Sequence, residues 1–443
     1  MILDEILAKR KIDYIEIEKE LSLEDIKKLV KPSNKHKFYD LCKTKDFIYI
    51  CECKKASPSK GIISEDYNYL DISKKYEKAN ADVISCLTEP NYFLGNNNHF
   101  KNIRNNVKTL MLRKDFIFNE YQIYESKLLG ADVILLIVAI LDFDSLKNYI
   151  KIAEEIGLSV LVECHNEDEI DLAIKANAKV IGVNNRNLKD FSVDFNNALK
   201  LRKKYPNLYI ISESGVKNKE DILKLKQAKL NGCLVGEALM RSDDPYKTLI
   251  DFMKEPTKIK ICGLKRDEDI EYANILKPDF IGFVFAKSKR RITLKKAMKL
   301  KSQLNQDILT IGVFQNHPID FIVEACNSGI IDIIQLHGDE DDNYIKELKE
   351  RVENEIISVY RTSKYAEYVM YDGKNPGSGI TTIYRNTSKS KPVFLAGGIN
   401  INNVDEYLKM KPYAIDISTG VETDGIKDFN KMKEIIQRVR NYE

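Results

Sequence analysis

Short runs rich in β-branched and aromatic residues alternate with amphipathic, helix-length stretches along nearly the whole chain. The alternation reaches eight, stops, and starts again. The first eight runs fall at 47–53, 82–86, 109–112, 133–139, 159–163, 180–183, 209–212 and 233–235. After the segment FMKEP at 252–256 a second set follows at 258–262, 280–285, 310–314, 331–336, 356–360, 368–371, 393–396 and 414–418. Strands alternating with helices imply parallel sheets, because a parallel neighbour needs a crossover long enough to hold a helix. An open doubly wound sheet uses five or six strands. Eight units per half fit a closed barrel, so the expected α/β fold is two tandem (β/α)8 TIM barrels. The expected domains are 1–254 and 255–443, the first carrying an N-terminal helical extension of some 45 residues.

Composition excludes several classes. Lys and Arg number 70 against 67 Asp and Glu, a net charge of +3 with no concentrated basic stripe, so no nucleic-acid partner is expected. Eight cysteines without a CxxC ladder, and only five histidines, argue against a disulfide framework, a zinc site or any other bound metal. The opening MILDEILAKRKIDY mixes acids and bases from its first turn, unlike a signal peptide. The longest apolar run, 133–141, is half the length of a membrane span. A reduced, cytoplasmic protein with no membrane partner is expected.

Barrel enzymes place their chemistry at the C-terminal ends of the strands. In the first half those ends carry Glu52 and Lys54, then Arg113-Lys114-Asp115, Glu163, Asn184 with Arg186, and Glu213-Ser214. Glu52 and Lys54 are two apart, so on a strand they project to one side. One charged residue at a strand end is usually a helix cap or a solvated group. Five of eight strands ending this way on one rim would be costly to desolvate unless a polar substrate used them. Turns at Ser214-Gly215 and Gly236-Glu237, after the seventh and eighth runs, match the usual phosphate cradle of barrels.

The second half repeats the device with Gly397-Gly398 and Ser418-Thr419-Gly420. Two barrels, each with a phosphate cradle, suggest two enzymes of phosphorylated sugars. Further candidates are Cys262 in KICGL, Arg290 in KSKRRI, His337 in QLHG and Asp372 in MYDG. A lone Cys is most often a small buried hydrophobe. At a barrel mouth it could instead be a thiolate of lowered pKa. Cys262 and Asp372 would then form a base and an acid flanking one substrate, as a proton-shuffling isomerisation requires.

These residues sit in longer motifs. IYICECKKASPSKG, LRKDFIFNEYQIYE, ILLIVAIL, LVECHNEDE, IGVNNRNL, ISESGV and LVGEALM, in that order, resemble the indole-3-glycerol-phosphate synthase family. KIKICGLKRDED, IGFVFAKSKRRI, IQLHGDE, FLAGGININNV and AIDISTGVE resemble phosphoribosylanthranilate isomerase. Together they cover almost the whole chain, in the order of the fused bifunctional enzymes of tryptophan biosynthesis.

The resemblance implies that the C-terminal barrel converts N-(5-phosphoribosyl)anthranilate to 1-(2-carboxyphenylamino)-1-deoxyribulose 5-phosphate by Amadori rearrangement. The N-terminal barrel would then close the indole ring with loss of carbon dioxide and water, with no cofactor. It further implies Asp372 as the acid at the ribose ring oxygen, Cys262 as the base at C2′ and Arg290 on the anthranilate carboxylate. His337, Gly397, Gly398, Ser418, Thr419 and Gly420 would bind substrate, the glycines in the phosphate cradle. In the first barrel Lys114 resembles the acid at the substrate carbonyl and Glu163 its acid/base partner. Glu52 and Lys54 would serve binding and the later dehydration, and Asn184 and Arg186 would steer carboxylate and hydroxyls, with Glu213 beside them. Ser57, Ser214, Gly215, Gly236 and Glu237 complete the expected binding set.

Departures from the family pattern are modest. Ala238 stands where a small hydroxyl residue is common, and Ile380 where a Lys is frequent, in a loop after Asp372 that looks short. That loop motivates an alternative, in which only the synthase half is active and the isomerase barrel binds ligand or stabilises its neighbour. A monomer is expected, since two barrels can cover each other.

Overall fold

A computed structural model of the protein describes residues 2–187, 190–373 and 391–442. The altered loop residues 377–380 lie outside this set. The chain divides into two compact units, Met1–Lys254 and Glu255–Glu443.

The first unit is a closed eight-stranded parallel barrel. Its strands are β1 (Ile48–Cys53), β2 (Val83–Leu87), β3 (Leu110–Lys114), β4 (Val133–Ile137), β5 (Ser159–Cys164), β6 (Val180–Asn184), β7 (Tyr209–Glu213) and β8 (Gly232–Val235). Closure comes from β1 pairing with both β8 and β2. The second unit closes in the same way through β9 (Lys258–Cys262), β10 (Phe280–Val284), β11 (Leu309–Phe314), β12 (Ile333–Leu336), β13 (Glu355–Val359), β14 (Tyr368–Asp372), β15 (Val393–Ala396) and β16 (Ala414–Ile417). Two tandem (β/α)8 barrels are therefore the architecture.

Strand alternation sorts the two cores. In the first barrel Ile48, Ile50, Leu112, Val133, Leu135, Leu161, Ile211 and Leu234 fill the interior. Their neighbours Tyr49, Cys51, Ile134, Val160, Ile210 and Cys233 belong to a separate layer beneath the surrounding helices. Strands buried on both faces lose the polar alternation of a half-exposed sheet, which is why these runs are continuously apolar.

Six strands run one or two residues beyond their apolar runs. β2, β3, β5, β6, β7 and β14 continue through Leu87, Lys114, Cys164, Asn184, Glu213 and Asp372. Hydropathy ends a strand at its first charge, but the ladder continues, pairing Leu87 with Lys114 and Asn184 with Glu213. The reverse happens at 133–139, where β4 stops at Ile137 and Val138–Ile140 forms a 3-10 turn.

The N-terminal extension is three helices, α1 (Ile2–Glu20), α2 (Leu23–Leu29) and α3 (Lys37–Thr44). α3 seals the barrel floor: Phe38, Tyr39 and Cys42 pack on the first interior residues of the strands, and the Val160 amide donates to Tyr39 Oη at 2.9 Å. α1 lies at the other end, where Leu3 and Ile6 reach the mouth of the barrel.

Candidate active sites

In the first barrel the inward positions of odd-numbered strands end in charge. One step past Ile50, Leu112, Leu161 and Ile211 come Glu52, Lys114, Glu163 and Glu213, from β1, β3, β5 and β7. Alternate strands contribute the side chains of one interior layer of such a barrel. The uppermost layer here is thus three carboxylates and an ammonium where lower layers are aliphatic.

Lys114 Nζ lies 2.9 Å from Glu163 Oε2 and 3.0 Å from Glu213 Oε2. Asn184 Nδ2 donates to the other Glu163 oxygen at 3.1 Å, and Asn184 Oδ1 accepts the Arg186 amide at 3.0 Å. Glu52, only 2 % exposed, pairs with Lys54, so this strand end is not a solvated one. All of these groups line one cavity of about 590 Å³, together with Ser57, Ser214, Gly215, Gly236 and Glu237. Ser57 comes from a two-residue hairpin ladder, Ala56–Ser57 against Gly61–Ile62. Ser214 and Gly215 both hold positive φ, 64° and 94°, where the chain leaves β7. Glu237 opens the short helix Glu237–Met240 and accepts from Arg241 Nε at 3.1 Å.

Burial opposes charge on Lys114, but Glu163, Glu213 and Glu52 outweigh it and hold its pKa above the ordinary lysine value. Burial pushes the Glu213 carboxyl above the usual carboxylate range, and the Glu163 charge adds to this against Lys114. For Glu163 the burial cost is overcome by Lys114 and His165, so its pKa falls. Neighbouring carboxylates with separated proton affinities are the signature of an acid–base site. Two glycines make the cluster sterically feasible. A Cβ on Gly182 would overlap Glu213 Oε1, and one on Gly236 would overlap Glu52 Oε1.

The strand-3 triplet separates by face. Lys114 points inward, while Arg113 is fully buried outside the barrel. There Arg113 meets Glu125 at 2.7 Å and Tyr14 Oη at 3.0 Å. Asp115 accepts from Arg10 of α1 at 3.0 and 2.5 Å and from Thr88 Oγ1 at 2.6 Å. Sequence reasoning did not find this anchor, because Arg10 lies 105 residues from its partner. It also missed the apolar wall of the cavity, Leu3, Ile6, Phe93 and Phe116, whose residues carry no local signal.

In the second barrel β9 sends Lys258, Lys260 and Cys262 inward. Lys260 is fully buried and donates to Gln335 Oε1 at 2.5 Å and Asp416 Oδ2 at 2.8 Å. Gln335 Nε2 lies 3.1 Å from His337 Nδ1, and His337 Nε2 lies 3.6 Å from Asp372 Oδ2. A polar chain thus runs across the barrel from Asp416 through Lys260, Gln335 and His337 to Asp372. Lys260, Gln335 and Asp416 escaped the sequence reading. A signal existed for Lys260 alone, the period-2 pattern of KIKIC, which faces Lys260 and Cys262 the same way.

Burial raises the Asp372 carboxyl, the nearby Asp416 adds to this, and His337 opposes it. Of the two states the sequence left open for Cys262, burial favours the thiol: it raises the pKa, and Lys260 and Lys427 only partly offset that. Arg290 is held by a two-point ion pair with Glu422, both contacts 2.7 Å, and Lys427 Nζ shares Glu422 at 2.7 Å. A Cβ on Gly263, next to Cys262, would overlap Arg290 Cδ. Ser418 Oγ donates to the Cys262 carbonyl at 3.2 Å. Gly397 and Gly398 turn with φ of 107° and 64°, and Tyr407 Oη donates to the Gly397 carbonyl at 2.8 Å. Gly420 sits so close to the Ile399 carbonyl that no Cβ fits, which brings the turns containing Thr419 and Gly398 together.

Residues 3–252 match the family described as indole-3-glycerol phosphate synthase, and residues 259–438 match N-(5'-phosphoribosyl)anthranilate isomerase. The chain is 49% identical over 249 residues to an indole-3-glycerol phosphate synthase of Ruminiclostridium cellulolyticum, covering 55% of this chain and 95% of that one. It is 35% identical over 421 residues to the tryptophan biosynthesis protein TrpCF of Buchnera aphidicola subsp. Diuraphis noxia, covering 91% of both. With the corresponding protein of Buchnera aphidicola subsp. Schizaphis graminum the identity is 35% over 454 residues, 98% of both.

Proposed function

This chain belongs to the fused indole-3-glycerol phosphate synthase and phosphoribosylanthranilate isomerase family, and from that premise we propose how its residues divide the work. It is a bifunctional enzyme of tryptophan biosynthesis, a lyase and an isomerase in one chain. We assign the synthase to residues 1–254 and the isomerase to 255–443.

In the synthase barrel a phosphate-tethered anthranilate sugar would seat its phosphoryl group between the Ser214-Gly215 and Gly236-Glu237 turns. Its ring would lie against Phe93, Phe116 and Leu3, which line the same cavity. Lys114 protonates the carbonyl that the ring carbon attacks. Its raised pKa keeps it charged at neutral pH, so it enters as an acid. Glu163, held ionised by Lys114 and Asn184, accepts a proton during closure. Glu52 and Lys54 serve the dehydration that follows, and Arg186 steers the carboxylate lost as carbon dioxide. The observation that carries this reading is the shared placement of Lys114 Nζ on Glu163 and Glu213 inside the cavity.

In the isomerase barrel Asp372, whose pKa is raised, keeps a proton for the ribose ring oxygen. The Cys262 thiol, facing Lys260 and Lys427, first releases its proton to water, and the thiolate so formed takes the C2′ proton. Asp372 stands at the end of β14, beside β15, whose Gly397-Gly398 turn would hold the phosphate with Gly420. Arg290 binds the anthranilate carboxylate, trading part of its pairing with Glu422 for it, and His337 orients Asp372. The matched families lend no support to a second barrel that only binds. The reading carries with it a monomer acting in the cytoplasm, in keeping with eight unpaired cysteines.

Steady-state assays of each half-reaction on the wild type, Lys114→Ala and Cys262→Ala test it. Each variant should lose one activity and keep the other. Loss of both from a folded protein, or of neither, would overturn the division of labour.

A further inference from the structure

Behind Glu163 lies a half-buried histidine that the mechanism above does not use. His165 follows β5, where Cys164 turns outward and His165 returns toward the interior. Its Nδ1 is 3.1 Å from Glu169 Oε2, and the same carboxylate oxygen accepts the His165 amide at 2.8 Å. Asn197 Nδ2 holds the His165 carbonyl at 3.0 Å. Glu169 therefore holds one ring nitrogen, while Glu169 and Asn197 fix the backbone that carries the ring. Its other nitrogen, Nε2, is buried without a hydrogen-bond partner and stands 3.6 Å from Glu163 Oε1. Buried polar atoms are satisfied in the great majority of cases, so an orphan aimed at a functional carboxylate calls for an explanation.

We propose that His165 is a positioning residue for Glu163, clamped by Glu169 so that its Nε2 steers and shares a proton with the Glu163 carboxylate. This rests on the role given to Glu163 above. With Nδ1 bonded to Glu169, only Nε2 changes state toward the active site. As imidazolium, His165 holds Oε1 while Lys114 holds Oε2, and the carboxylate stays ionised and oriented. When Glu163 needs a proton, Nε2–H delivers it and leaves the neutral ring with hydrogen on Nδ1. When Glu163 gives the proton up, Nε2 takes it back. No other reactant is consumed.

The charged groups around His165 agree with this. Glu163 on its own strand, Glu169 on the helix Glu167–Lys175 and Glu213 on β7 all favour the charged ring. Burial opposes them as the largest influence, yet the net shift is upward. His165 borders a flanking cavity of about 470 Å³ that Asp4 of α1 and Arg186 and Asp194 after β6 also line. That cavity also contains Asn184, so it reaches the Glu163 site from the far side.

The test uses the full-length protein and two kinds of readout. Nuclear magnetic resonance titration of the histidine ring nitrogens should show His165 losing its proton at lower pH in Glu163→Gln than in the wild type. An unchanged titration would overturn the proposal, whether or not the protein turns over substrate. In kinetics, His165→Ala should lower synthase kcat about 10-fold with KM changed less than about 2-fold, as expected for loss of help to an acid–base group. The pH limb that reports Glu163 should move upward, because a neighbouring cation is gone. His165→Gln, which keeps a donor near the Nε2 position, should recover most of the plateau rate but not the limb. A pH profile identical to wild type in His165→Ala would sink the idea. Absence of ring closure in the wild type would sink the assigned synthase reaction instead, and leave the titration to decide the pairing.

Discussion

Lys114 Nζ and Glu213 Oε2 meet at 3.0 Å although they stand on β3 and β7, opposite walls of the first barrel. Contact across the diameter means that these side chains span the interior and close its aliphatic core against the cavity above. The first prediction follows from this bridge. Lys114→Ala should lower the synthase rate by ~10²–10⁴, the usual worth of a positioned acid. Isomerase turnover of the same protein should stay within about 2-fold of wild type. Parallel assays of the two half-reactions check it.

Glu213 is expected to destabilise the fold where it ionises. Its native pKa is raised by burial, so it binds a proton more tightly folded than unfolded. Its favourable contribution is therefore complete below the unfolded value near ~4.3 and is lost as pH rises through the higher folded value. Glu213→Gln should gain in Tm relative to wild type at pH 8 but not at pH 4, while losing synthase activity. A Tm difference independent of pH would contradict this.

Gly182 offers a steric test of the same bridge. A Cβ there would overlap Glu213 Oε1, and Glu213 is only 2 % exposed, with little room to retreat. Gly182→Ala should displace the carboxylate from Lys114 and cost ~1–3 kcal/mol from overpacking. Synthase kcat should fall at least ~10-fold, since small misplacement of a catalytic group is enough. Thermal unfolding and kinetics of the purified variant measure both.

The Arg10–Asp115 pair ties α1 to the end of β3, next to Lys114. Arg10→Met leaves Asp115 buried with Arg113, Thr88 and the Phe116 amide as remaining partners. Removing one partner of a buried pair costs ~3–5 kcal/mol, and Arg113 should keep this loss near the lower bound. Asp115 has its pKa lowered: burial works against ionisation, but Arg10 and Arg113 outweigh it. Its stabilisation is therefore present above the unfolded value and lost as pH falls through the folded one. Arg10→Met should accordingly begin acid unfolding at higher pH than wild type. The expected signature is loss of synthase activity with α1 undocked, followed by circular dichroism and limited proteolysis.

For the isomerase, the role proposed for Asp372 requires that it carry a proton. Its pKa is raised by burial and by Asp416, so activity should decline as pH climbs through that value. Asp372→Asn should cost ~10²–10⁴ in isomerase rate and leave the synthase unchanged. His337→Asn should shift the alkaline limb upward, because His337 favours the ionised form of Asp372. A limb that does not move would remove His337 from this role.

Much was legible before any fold was known. Sixteen apolar runs, most at helix-length spacing, point to parallel strands joined by crossovers, and eight per half point to closure. The polar residue that ends five of the eight runs in the first half could be read as a rim residue, because barrel enzymes place their chemistry at the C-terminal ends of the strands. That is how Glu52, Lys114, Glu163, Asn184 and Glu213 were identified, together with the glycine turns after the seventh and eighth strands. These are local signals, carried by neighbours along the chain.

What the sequence could not carry is pairing at a distance. Nothing near Arg10 points to Asp115, and nothing near Lys260 points to Gln335 and Asp416, because such partners are chosen by the closure of the barrel. Direction within a run is also tertiary: Arg113 and Lys114 are adjacent letters, yet one is sealed beneath α1 and the other reaches into the cavity. The state of Cys262, left open between a buried thiol and a thiolate, is tertiary for the same reason. A thiol's proton affinity depends on how much water the finished fold removes, and here desolvation exceeds the pull of two lysines. The chain's own letters thus determine which groups stand at the mouth of each barrel. The closed fold decides which of them touch, and so which hold their protons.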